Sequence, residues 1–107
     1  MDNYKSELSD VLRRLAAPAP EQQAYLQKLG VDADELALEY DDLFRLAGER
    51  WRNGELTQNE YDVLKRLNTL LDTMSGPERG ALWTIDALQN RTEWIEVRRL
   101  AAQALGG

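Results

Sequence analysis

The chain has no cysteine and no histidine. Without cysteine there is no disulfide, no thiolate nucleophile and no cysteine-based zinc or iron–sulfur site. Without histidine the commonest general base, the commonest metal ligand and the usual physiological pH switch are all missing. Prolines number three, and aromatic residues make up only 7% of the sequence. No apolar stretch approaches the roughly 20 residues that a membrane-spanning helix requires. The opening residues, Met1-Asp2-Asn3-Tyr4-Lys5, contain no basic stretch followed by an apolar run, so no signal peptide is expected and a cytoplasmic location is. Arginine exceeds lysine and alanine is plentiful, a composition in line with a GC-rich bacterial coding source.

What is present is ordinary for one folded domain spanning residues 1–107. Of the 107 residues, 43% are hydrophobic and 30% charged, which is globular rather than disordered composition. Apolar positions recur with helical period throughout, and no run alternates with the period of a strand.

The first helix is expected from about Asn3 to Ala16. Tyr4, Leu8, Val11, Leu12 and Leu15 lie on one face, and Pro18 and Pro20 stop the helix. Pro20 is suited to the first position of a second helix. That helix ends at Gly30, with Val31 folding back on Leu26 as in a Schellman motif.

A third helix is expected to start with Asp32 and Glu35 as a capping pair and Val31 and Leu36 as a staple. It runs to about Arg52 and ends at Asn53-Gly54, burying Leu36, Tyr40, Leu43, Phe44, Ala47 and Trp51. Gly48 inside it suggests a bend or a close helix contact.

Thr57 and Glu60 form a capping box for a fourth helix that runs to about Thr73, with Leu56 and Tyr61 as its staple. Its apolar arc is Val63, Leu64, Leu67, Leu70, Leu71 and Met74. The stretch from Ser75 to Gly80 reads as a connector in which Ser75 and Glu78 suit a single capped turn. Thr84 caps a short helix to about Asn90, with Trp83 and Leu88 around it. Thr92 caps the last helix, which turns Trp94, Val97, Ala101, Ala104 and Leu105 to one side. The fold class is therefore all-α: a compact bundle of four main helices plus one or two short ones, with no sheet.

The formal net charge of −6 is concentrated. Residues 32–42 hold Asp32, Asp34, Glu35, Glu39, Asp41 and Asp42 with no base, while the rest of the chain is balanced between acids and bases. Helix capping accounts for part of this, because carboxylates in a first turn gain roughly 0.3–1 kcal/mol each from the helix dipole. Asp41 stands four residues before Arg45, the favourable order for a helical ion pair.

Glu35, Glu39 and Asp42 remain as a row of like charges, beside Leu38 and Leu46, which fall off the main apolar stripe. Leucines with an acidic rim have the layout of a partner site, and they also suit packing against the first or second helix. Trp83, next to the glycine-rich connector, is either a staple over the following helix or a second anchor for a partner.

Other chemistries find little support. The carboxylate row would suit calcium or magnesium, but the EF-hand spacing is absent and the di-iron pattern needs histidine, so no metal or cofactor is expected. There is no glycine-rich phosphate loop after a strand and no Ser-x-x-Lys motif, so no catalytic residue is assigned. The best basic pairs, Arg50 with Arg52 and Arg98 with Arg99, are interleaved with acids, which argues against nucleic-acid binding. The expected partner is another protein of basic character, met at Glu35, Leu38, Glu39, Asp42, Leu46 and Trp83. A homodimer that buries the spare leucines is the second expectation, and weak divalent-cation binding the third.

Overall fold

A computed structural model describes residues 3–76 and 79–106. Among the described residues the chain is all-α, with no strand. The helices are α1 (Tyr4–Ala16), α2 (Ala19–Leu29), α3 (Asp34–Phe44), α4 (Ala47–Arg52), α5 (Gln58–Thr73), α6 (Ile85–Asn90) and α7 (Thr92–Gly106), with a 3-10 turn at Gly80–Trp83 before α6. The C-terminal helix α7 packs against both α1 and α5. The third helix, α3, lies on α1 and α5, and α2 lies on α6. One continuous core runs from Tyr4 through Leu15, Leu36, Tyr40, Leu67 and Trp94 to Ala101.

Most helix ends follow the local chemistry. Ala17, before Pro18, is extended (ψ 151°) and closes α1. Gly30 has φ +72°, and the Val31 N–H reaches Leu26 O at 3.1 Å, which completes the expected Schellman cap. Gly54 repeats the device after α4, with φ +80° and the Glu55 N–H on Arg50 O at 2.9 Å. The Thr57 capping box is complete: Glu60 N–H donates to Thr57 Oγ1 at 3.1 Å, and Thr57 N–H donates to Glu60 Oε1 at 2.8 Å. Thr84 Oγ1 accepts from Ala87 N–H at the start of α6.

Several boundaries differ from the sequence pattern. Pro20 is the second residue of α2, not the first, and still sits where its missing N–H costs nothing. Thr92 is the first helical residue of α7, not its cap, and its hydroxyl donates to Glu93 Oε1. Asp32 does not cap α3. Ala33 precedes that helix in helical geometry, and the backbone carbonyls of Asp32 and Ala33 accept from Glu35 and Leu36 instead, so the first turn needs no side-chain cap. Leu105 is exposed at the end of α7, and Leu100 is buried in the face it was expected to share. The turn expected from Ser75 to Glu78 lies partly outside the described residues.

The largest difference is that the expected third helix is two helices. The ladder breaks at Arg45–Leu46, where the Leu46 N–H bonds Leu43 O, three residues back. In a continuous helix Leu43 O would accept from Ala47 N–H. Here the Tyr4 hydroxyl also donates to it, at 3.1 Å. The Tyr4 ring lies 4.7 Å under the Arg50 guanidinium of α4, so one α1 side chain holds both sides of the break. Gly48 is not the bend. It is a close contact: a Cβ there would stand 3.3 Å from the Tyr61 hydroxyl, whose ring stacks on Trp51 at 5.0 Å.

Candidate interaction surface

At about 100° per residue, Leu36, Tyr40, Leu43 and Phe44 take the inward arc of α3. Leu38 takes the opposite arc, flanked by Asp34, Asp41 and Asp42. Its burial state follows: Leu38 is 54% exposed, and Leu46, in the turn between α3 and α4, is 42% exposed. Asp42 is exposed beside them, 4.0 Å from Arg45, which pairs more closely with Asp41 at 2.9 Å in the expected i, i+4 arrangement.

The row of three carboxylates does not survive as a unit. Glu39 turns away from solvent and is consumed within the fold. Its Oε1 accepts from Arg14 Nε at 3.0 Å and its Oε2 from the Tyr25 hydroxyl at 2.5 Å. The Arg14 guanidinium also lies over the Tyr25 ring, 5.1 Å from its centroid. Burial, reinforced by the Glu39 carboxylate, raises the Tyr25 phenol above its ordinary value. Glu39 therefore joins α3 to α1 and α2 and is no part of an open partner surface. Glu35 is half-buried at the edge of the same side. Among the described residues, no three acids converge closely enough to hold a metal ion.

Trp83 is a packing residue, not a projecting anchor. It is half-buried, its indole N–H donates to Met74 O at 2.9 Å, and its ring meets Trp94 edge-to-face at 5.6 Å. Trp94 in turn donates to Leu82 O at 2.6 Å. The two tryptophans tie down both ends of the segment between α5 and α6, because a buried indole N–H needs an acceptor.

The structure adds residues that linear patterning did not assemble. A groove runs between α3 and α5 beside Leu38. Ala37, Tyr40 and Leu71 form its apolar floor, and Asp41, Asn68 and Asp72 form its rim. Tyr40 is held there by its hydroxyl, which donates to Leu64 O at 2.7 Å. Asp72 makes no ion pair among the described residues. It also lies in the last turn of α5, where no base is present and the helix dipole disfavours an acid. That misplaced charge was the one sequence signal that could have drawn attention to the α5 side of the surface.

In comparisons with family models, characterised proteins and solved structures, nothing matches this chain. Among the described residues, no helix is long and apolar enough to cross a membrane.

Proposed function

We propose that this chain is a small acidic protein-interaction or regulatory module of the bacterial cytoplasm. It has no catalytic activity of its own, and it binds a basic partner protein through the outward face of α3 and the α3–α4 turn. The observation that carries the reading is the exposure of Leu38 and Leu46 within an acidic rim that includes Asp41 and Asp42. Burying a leucine is worth about 1.5–3 kcal/mol, so two of them supply an anchor. The acids add steering and selectivity for a positive surface more than raw affinity. The lack of histidine and cysteine supports a binding role over a catalytic one.

A homodimer through this face is the less favoured reading. A two-fold interface sets the same patch of both copies together, so Asp41 and Asp42 would meet their own equivalents or lie close to them, and like charges repel. Light scattering is therefore expected to find a monomer at high micromolar concentration.

The direct test uses a variant with Leu38→Ser, Leu46→Ser and Asp42→Lys, all at exposed positions. It is expected to keep the wild-type melting temperature and to lose the basic partner that the immobilised wild-type chain retains from its native cell. Full retention of that partner by the triple variant overturns the reading.

A further inference from the structure

We infer that the α3–α5 groove is a socket for one long cationic side chain, a lysine or arginine carried by the basic partner. This deepens the reading just given and rests on it, since it names what the partner inserts beside Leu38.

Three features of the groove converge on that occupant. First, its size is that of a side chain. The cavity measures about 160 Å³, below the roughly 300–1,000 Å³ of a typical small-molecule pocket. Second, its floor is apolar and its rim is negative. Ala37, Tyr40 and Leu71 match a methylene stem, while Asp41 and Asp72 stand where a charged head would emerge. Lysine and arginine bury their stems in this way and keep the charge at the surface.

Third, the negative charge is only partly neutralised from within. Asp41 pairs with Arg45, whereas Asp72 makes no ion pair among the described residues. Asp72 also sits at the negative end of the α5 dipole, so a cation docked there meets both the carboxylate and the helix terminus.

The groove between α1 and α2 makes a useful contrast. It is lined by Arg13, Arg14, Glu21 and Tyr25, and both of its cations are already paired, Arg13 with Asp10 and Arg14 with Glu39.

The test uses a fluorescein-labelled alanine-based helical peptide that presents two leucines and two arginines on one face. A second peptide replaces both arginines with citrulline, which keeps the shape and removes the charge. Binding is read by anisotropy at low ionic strength. The arginine peptide is expected to bind, and the citrulline peptide to bind at least about tenfold more weakly, as loss of charge complementarity requires. Asp72→Asn, and separately Asn68→Trp to fill the groove, should each weaken the arginine peptide, while Asp41, shared with the α3 face, is left unchanged.

Unchanged binding in both groove variants, indifference to citrulline, or no binding of the arginine peptide at millimolar concentration overturns the socket. If Leu46→Ser and Asp42→Asn weaken binding while the groove variants do not, the socket fails and the acidic-face reading stands. Melting temperatures check folding. Asp72 is exposed, so its variant reports on the groove even if Asn68→Trp disturbs the fold.

Discussion

Gln22 is 2% exposed, the only buried polar side chain among the described residues, and it uses all of its hydrogen-bonding atoms. Its Nε2 donates at 3.0 Å to both Arg14 O and Leu15 O in the last turn of α1, where Arg14 O also accepts from the Ala17 N–H, and its Oε1 accepts from Arg98 of α7. Arg98 donates again to Leu88 O of α6, and burial lowers its pKa. Gln22 and Arg98 together thus join four helices. Gln22→Leu keeps the size but takes the side-chain donor from Leu15 O, one of two donors from Arg14 O and an acceptor from a half-buried guanidinium. It is expected to cost about 2–4 kcal/mol in urea denaturation. A loss under about 1 kcal/mol would show that water replaces those bonds without penalty. Glu39 makes the same point between α1, α2 and α3. Its chain neighbours suggest repulsion, but Arg14 and Tyr25, brought by two other helices, make it a structural link.

At the scale of elements, Asp32 and Thr92 do not serve as caps, whereas the Gly30, Gly54, Thr57 and Thr84 boundaries lie where the sequence places them. The Thr57–Glu60 box is the clearest, and Thr57→Ala should cost about 1 kcal/mol. The backbone N–H of Thr57 chiefly lowers the Glu60 pKa; burial opposes it, and Lys5 at 3.5 Å adds a lesser lowering effect. A carboxylate with a lowered folded pKa stabilises the protein above its unfolded value of 4.5, and that stabilisation is lost as pH falls through the folded value. Wild type should therefore be more stable than Glu60→Gln near neutral pH, and the gap should close on acidification. Thermal melts from about pH 7 to pH 2 check this, and a gap that persists in strong acid would contradict it. The α3–α4 break is the opposite case. Neither Arg45 nor Leu46 breaks helices, and the apolar period runs straight through them. Tyr4, some forty positions away, supplies the hydroxyl and the ring that hold the break.

For the whole molecule, the phenols of Tyr4, Tyr25 and Tyr40 set the alkaline limit. Burial raises all three pKa values, most strongly at Tyr40, whose hydroxyl is enclosed between α3 and α5. A phenol with a raised folded pKa contributes stability that is full below the unfolded value of 10.0 and is lost as pH rises through the folded value. The denaturation midpoint should accordingly fall above about pH 10. Tyr40→Phe, although less stable at neutral pH for want of the Leu64 hydrogen bond, should fall less steeply. Equal slopes in the two proteins would rule out Tyr40 as the main alkaline group. The sequence by itself determined the helical class, the Gly30, Gly54, Thr57 and Thr84 boundaries, the inward arcs of α1 and α5 and the location of the charge. These follow from interactions within one or two turns, where spacing along the chain equals spacing in space. Only the tertiary structure decided that Leu38 and Leu46 face solvent, that Glu39 and Trp83 are spent inside the fold, and that Asp72 shares a groove with Asp41. Each of those depends on which helices become neighbours, and that is settled by how the apolar faces of all the helices fill one core together.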